Sequence, residues 1–121
     1  MTINISQILI VSEPGRLRDS LRVLLKSRFP QAVIEQAETS VTALQLLAAN
    51  PCTLVMLDAA LPDEQAWQAL ECLDVHRQRC VILAHSFAQQ RQAWQAGANA
   101  VLLDGFTVES LCAALDAEAQ H

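Results

Sequence analysis

Two short apolar runs, each followed at once by polar residues, constrain the fold of this chain more than any other feature. Ile8–Val11 leads into Ser12 and Glu13, and Leu54–Leu57 leads into Asp58. A run of four apolar residues without alternation is typical of a strand buried on both faces of a parallel sheet. The sequence therefore predicts two central strands with polar side chains at the points where they end.

The rest of the chain alternates strand patterns with helical patterns. Three further strands are predicted at 32–37, 80–84 and 101–103, and Asp63 with Glu64 is expected to open the third helix, where carboxylates complement the helix dipole. Connections are short, and no hairpin turn separates two strands. This pattern predicts an α/β flavodoxin-like (βα)5 three-layer sandwich, with a five-stranded parallel sheet of order 2-1-3-4-5.

That strand order predicts a site. The first and third strands lie side by side at the switch point of the sheet, so Glu13 is expected beside Asp58. Neighbouring carboxylates repel each other unless one takes up a proton or a cation lies between them. Mg²⁺ prefers such oxygen ligands, and an Asp58 oxygen left free could attack a phosphoryl group. The structural alternatives are a turn residue at Asp58, a helix-capping Ser12 and an acidic rim without an ion.

Composition limits the function classes. The chain has 121 residues, which suits one domain over 1–121, and its net charge of −5 argues against nucleic-acid binding by this domain. No apolar run approaches the roughly 20 residues that span a bilayer, and no signal peptide is evident, so a cytoplasmic location is expected. The 4 cysteines have no C-x-x-C spacing and are interpreted as small buried residues in a reducing compartment, with a zinc site or disulfides as the alternative.

Other uses of an α/β fold find little support in the sequence. It has no G-x-G-x-x-G fingerprint and no P-loop. No Ser or Cys nucleophile stands on a strand-to-helix turn beside a base. Of the three histidines, only His85 follows a predicted strand near the proposed site, so it is the one histidine considered for a role there.

With these residues in register, the chain resembles the receiver domains of bacterial two-component response regulators. The resemblance covers nearly the whole chain. Arg18 and Leu21 in the first helix look most like the receivers of LuxR-type regulators. The residues that carry the match are Ile8–Val11 before an acidic position, Leu57-Asp58 before Leu61-Pro62-Asp63, and Ala96-Gly97-Ala98 before Leu102-Leu103.

The resemblance implies a protein that accepts a phosphoryl group on one aspartate, from a histidine kinase or phosphotransfer protein, with Mg²⁺ bound. The acceptor maps to Asp58. The paired acids after the first strand map to Ser12 and Glu13, of which Glu13 is the expected metal ligand. A third metal contact, a main-chain carbonyl, maps to Ala60.

The chain departs from the family pattern at the positions that sense the phosphoryl group. The hydroxyl residue ending the fourth strand maps to Ala84, the lysine ending the fifth maps to Asp104, and the moving aromatic maps to Val101. His85 or Ser86 could substitute for the hydroxyl residue. Exchanging a cation for a carboxylate about 4 Å from a phosphoryl group would disfavour that group by several kcal/mol at an effective dielectric of about 20.

We therefore expect a non-enzymatic receiver domain with a degenerate switch site, acting mainly through protein–protein contacts. The alternatives are a fully competent phosphoacceptor that controls transcription through an attached DNA-binding domain, and a small Mg²⁺-dependent phosphohydrolase using Glu13, Asp58 and Asp104. The resemblance also implies a homodimer through the face formed by helix 4, strand 5 and helix 5. Trp94 on that helix is predicted either to pack inward or to be exposed on this face.

Overall fold

Strands and helices alternate along the chain in the computed structural model, which describes residues 5–49, 54–73 and 78–116. All strand pairs are parallel, and the order in the sheet is β2-β1-β3-β4-β5. The predicted fold class and strand order are therefore confirmed. The elements are β1 (Gln7–Val11), α1 (Arg16–Arg28), β2 (Val33–Ala37), α2 (Ser40–Ala49), β3 (Leu54–Asp58), α3 (Gln65–Cys72), β4 (Arg79–Ala84), α4 (Phe87–Gln95), β5 (Ala100–Leu103) and α5 (Val108–Asp116).

The sheet is covered on both faces, so its central strands are buried throughout. Every residue of β3 is buried, including Asp58 at its end. One face packs against α1 and α5 through Leu21, Leu25, Leu111 and Leu115. The other face packs against α2, α3 and α4, through a second cluster that contains Ala43, Ala69, Leu70 and Ala93. Burial on both sides explains why β1 and β3 are continuous apolar runs.

The third helix begins later than the sequence predicts. Pro62–Glu64 forms a 3-10 turn, and Asp63 and Glu64 have positive φ angles of 57° and 60°. This left-handed backbone is uncommon for residues other than glycine and cannot continue a right-handed helix. The expectation that Asp63 and Glu64 open the helix is therefore wrong, and α3 begins at Gln65. The Gln65 side chain accepts a hydrogen bond from the Ser40 N–H at 2.8 Å, which joins the start of α3 to the start of α2.

The cysteines in the described part of the chain differ in exposure. Cys80 in β4 is buried, Cys112 is half-buried and Cys72 at the end of α3 is exposed, and all three are free thiols. Cys52 lies outside the described residues. The interpretation of the cysteines as buried residues is confirmed for Cys80 and wrong for Cys72.

We predict that Cys72 reacts with iodoacetamide in the native protein well before Cys80 does. Burial raises the pKa of the Cys80 thiol to about 12 and shields its sulfur, so almost no reactive thiolate forms there at pH 8. Peptide mass spectrometry after timed alkylation at pH 8 measures both sites. Unfolding in urea is the control, since it should make the two thiols react at similar rates. Equal labelling in the native protein would contradict the burial of Cys80.

None of the helices that the structure describes is both long enough and apolar enough to cross a bilayer.

Candidate functional site

Four polar residues stand just at or beyond the carboxyl ends of four strands. Asp58 ends β3, Ser12 follows β1, His85 follows β4 and Asp104 follows β5. Because the strands are parallel, these ends lie at one edge of the sheet, where open α/β sheets bind ligands. The described residues therefore bring a hydroxyl, an imidazole and two carboxylates to one edge.

Asp58 is held by three hydrogen bonds. Ser12 Oγ donates to Asp58 Oδ2 at 3.0 Å, and the Ala60 N–H donates to Asp58 Oδ1 at 2.9 Å. His85 Nε2 lies 2.7 Å from the same Oδ1 atom. An ionised carboxylate only accepts hydrogen bonds, so the imidazole is the donor in this pair. With only 6% of Asp58 exposed, about three of its four acceptor positions are filled and little of the carboxylate faces solvent.

His85 lies between two carboxylates. Its Nε2 faces Asp58, and its Nδ1 lies 3.8 Å from Asp104 Oδ2. The His85 side chain is 29% exposed and that of Asp104 is 71% exposed, so the pair forms the outer rim of the site above the buried Asp58. The imidazole ring of His85 thus lies between the ends of β3 and β5 and is hydrogen-bonded to Asp58.

The backbone that carries His85 is tied down by Gln89. The His85 N–H donates to Gln89 Oε1 at 2.7 Å, and Gln89 Nε2 donates to the Ala59 carbonyl at 3.4 Å. Ser86 caps α4 by accepting a hydrogen bond from the Gln89 N–H at 3.2 Å. The loop after β4 is therefore bonded both to its own helix and to the loop after β3.

Hydrogen bonds within the protein occupy most of the carboxylate at which the resemblance implies a Mg²⁺ site. The Glu13 side chain is exposed, and among the described residues no group of three His, Cys, Asp or Glu side chains is arranged to hold a metal. Ser12 fills the place of a second acid with a hydroxyl that donates to Asp58. Ala60 offers Asp58 its N–H. Together with His85, these donors leave about one of the four acceptor positions of Asp58 for a cation.

The remaining sequence-predicted positions surround this edge without touching Asp58 through a hydrogen bond in the described structure. Ala84 is buried, and its carbonyl accepts from the Asp104 N–H at 2.8 Å. Val101 is partly buried against the core. Ser86 serves as the cap of α4. His85, rather than Ser86, is the residue that reaches Asp58.

Gln89 is the residue that sequence reasoning missed. Its position three residues after Ser86 matches the spacing of a capping box, which places a Gln or Glu at the third helical position. That signal could have indicated a capped start for α4. It could not have indicated the bond from Gln89 to Ala59, which depends on how α4 sits against β3.

Comparisons with solved structures find proteins that share this fold. No family model matches the chain, and no curated protein matches it. Among solved structures, a CheY-like response regulator receiver domain from Methanospirillum hungatei JF-1 matches with a TM-score of 0.77 at 22% identity, covering 96% of this chain and 94% of that one.

Two further structures agree with this match. A LuxR-family two-component response regulator from Aurantimonas sp. SI85-9A1 has a TM-score of 0.81 at 22% identity, over 96% of this chain and 86% of that one. A two-component response regulator from Clostridium difficile has a TM-score of 0.78 at 18% identity, over 96% and 97%. At these identities the likeness establishes the fold, which is that of response-regulator receiver domains.

Proposed function

We propose that this chain is a receiver domain of two-component signalling whose switch site is degenerate and which acts mainly through protein–protein contacts. Asp58 stands at the phosphoacceptor position. The proposed partner that would supply the phosphoryl group is a histidine kinase or a phosphotransfer protein. The proposal takes 1–121 as one receiver domain and assigns it no enzymatic turnover of its own.

The observation that carries the proposal is the set of bonds around Asp58. The Asp58 carboxylate accepts hydrogen bonds from Ser12, Ala60 and His85. The neighbouring residue at the rim of the site, Asp104, is also an acid. A phosphoryl group on Asp58 would displace the bond from His85 or Ser12 and would meet a negative charge at the end of β5. Both effects disfavour the phosphorylated state, so we infer a phosphoacceptor site that is little used.

The outer surface of α4 supports a role in protein–protein contacts. Phe87 is 75% exposed and Trp94 is 52% exposed, so the alternative of an exposed tryptophan is the one observed. Aromatic side chains bury a large area and are enriched in protein interfaces. Trp94 also lines a groove with Val101, Leu103 and Phe106 along β5. We infer that this domain binds a partner protein through the face formed by α4, β5 and α5. A second copy of the chain is one such partner.

Acetyl phosphate tests the state of Asp58 directly. We expect less than about a tenth of the protein to carry a phosphoryl adduct under conditions that label a competent receiver fully. A free-energy penalty of about 1.4 kcal/mol on the phosphorylated state is enough to lower its population tenfold. Intact-mass spectrometry, with and without added Mg²⁺, measures the adduct. Asp58→Asn should remove it, and the exposed Asp19→Asn serves as the matched control.

The other functions predict different results in the same assay. A stoichiometric adduct that Asp58→Asn removes would overturn the degenerate site and favour a competent phosphoacceptor. Hydrolysis of phosphate esters by the unmodified protein, abolished by Asp58→Asn, would instead indicate a phosphohydrolase. Analytical ultracentrifugation of the protein and of Trp94→Ala tests the proposed surface for self-association.

A further inference from the structure

We propose that His85 is a latch that closes over Asp58, and that Asp58 reacts with a phosphoryl donor only after this side chain swings outward. The inference rests on the proposed function, because it concerns the same acceptor position. It adds a positioning residue and a reason why the acceptor is inaccessible. The observation that carries it is the 2.7 Å contact between the His85 ring and Asp58, a carboxylate that is itself buried.

The His85 side chain restricts access to the Asp58 carboxylate. His85 Nε2 is 2.7 Å from Asp58 Oδ1, and Asp58 is 6% exposed although its neighbours Glu13 and Asp104 are exposed. Nucleophilic attack needs a carboxylate lone pair aligned with the phosphorus atom. The His85 side chain is 29% exposed and that of Asp58 only 9%, so we infer that the ring covers Oδ1 from the solvent side, from which a donor would approach. Reaction at Oδ1 therefore requires the ring to leave, while Oδ2 accepts the hydrogen bond from Ser12.

His85 is held by hydrogen bonds at its backbone N–H as well as at its imidazole ring. Gln89 accepts from the His85 N–H at 2.7 Å, and it donates to Ala59, the residue directly after the acceptor, at 3.4 Å. Opening the latch by moving the loop would break bonds at both ends of Gln89. A rotation of the His85 side chain alone would break only the bond to Asp58 and the contact with Asp104.

The chemical step that the latch controls is a simple group transfer. With acetyl phosphate as donor, an Asp58 oxygen forms a bond to phosphorus while the bond from phosphorus to the acetyl oxygen breaks. Acetate leaves with that electron pair. No oxidant, reductant or proton transfer to the protein is needed, so the part of His85 is to block or release the nucleophile.

Hydrogen–deuterium exchange tests the latch without any phosphorylation. His85→Ala should increase exchange at the start of α4 and in the loop before it, because the loop loses its attachment to Asp58. Gln89→Ala should do the same from the other attachment, while Gln92→Ala, an exposed glutamine on the same helix, should leave exchange unchanged. Unchanged exchange in both His85→Ala and Gln89→Ala would overturn the proposal.

Adduct formation with acetyl phosphate tests whether the latch controls access. His85→Ala should form the Asp58 adduct about tenfold faster than the unmodified protein, as expected for loss of a hydrogen bond to a charged group. His85→Gln retains a donor at similar reach and should remain slow. The double variant His85→Ala, Asp58→Asn should form no adduct.

The outcomes separate the latch from the proposed function. Equal adduct rates in His85→Ala and the unmodified protein would overturn the latch, whatever the level of labelling. A stoichiometric adduct on the unmodified protein would overturn the degenerate site, while the comparison of rates between variants would still test the latch. Thermal melts of each variant confirm that the comparison is between folded proteins.

Discussion

Leu57→Ala is expected to lower the free energy of unfolding by about 2–5 kcal/mol, the usual cost of removing a buried leucine side chain. Leu57 precedes Asp58 on β3, is 0% exposed and lies in the cluster between the sheet and α2, α3 and α4. Truncation removes apolar contacts and leaves a cavity, because close-packed neighbours relax only partly. The expected loss is a large part of the stability of a domain of this size.

Urea unfolding followed by circular dichroism measures this change. Val41→Ala is the control, because Val41 is 64% exposed on α2 and alanine has the higher helix propensity. We expect the control to alter the free energy of unfolding by no more than about 0.5 kcal/mol. A loss below about 1 kcal/mol for Leu57→Ala would contradict the packing of β3 at the centre of the core.

Asp104→Lys is expected to increase the yield of the Asp58 adduct about 10- to 100-fold. The change replaces a carboxylate beside the site by a cation that can pair with a phosphoryl group. It also removes the carboxylate that lies 3.8 Å from His85 Nδ1, so no negative charge remains at this position to repel a phosphoryl group. Both effects act in the same direction.

The electrostatic effect of the charge at position 104 is smaller than the several kcal/mol expected from the sequence. The Asp104 side chain is 71% exposed, so water screens it, and two unit charges about 4 Å apart in water interact by only about 1 kcal/mol. Intact-mass spectrometry at low and high salt measures the yield, and the gain should shrink as salt rises. Glu71→Lys makes the same charge reversal at the exposed end of α3 and should have no effect. No gain for Asp104→Lys would mean that charge at this position does not limit the chemistry.

Much of the fold could be predicted because strands buried on both faces are continuous apolar runs in the sequence. The last four residues of β1 and the first four residues of β3 are all apolar, as is typical of strands covered on both faces. Short connections without hairpin turns then leave few topologies. Gly97, just beyond the end of α4, has a φ of 94°, the left-handed conformation in which glycine commonly follows a helix. The left-handed turn at Asp63 was not predicted, and the sequence left open whether Trp94 points inward or outward, because both conformations depend on neighbours distant in sequence.

The site was predicted in position more fully than in chemistry. Strand order alone brings the end of β1 beside the end of β3, and Ser12 and Asp58 meet there at 3.0 Å. Which residue after β1 faces Asp58 depends on the backbone beyond the strand. Ser12 is buried and reaches the carboxylate, whereas Glu13 is exposed. The predicted pairing of two acids thus gives way to a hydroxyl and an acid.

The sequence by itself determined the layers, the strand order and the edge at which Asp58 emerges, because apolar runs and short crossovers admit few other arrangements. Only the tertiary structure decided what surrounds that carboxylate. His85 lies 27 residues away along the chain and meets Asp58 through a loop whose path is fixed by Gln89 and Ala59. Hydrogen bonds between loops are short and directional, so shifts of about 1 Å make or break them, and local sequence patterns carry no record of such distances.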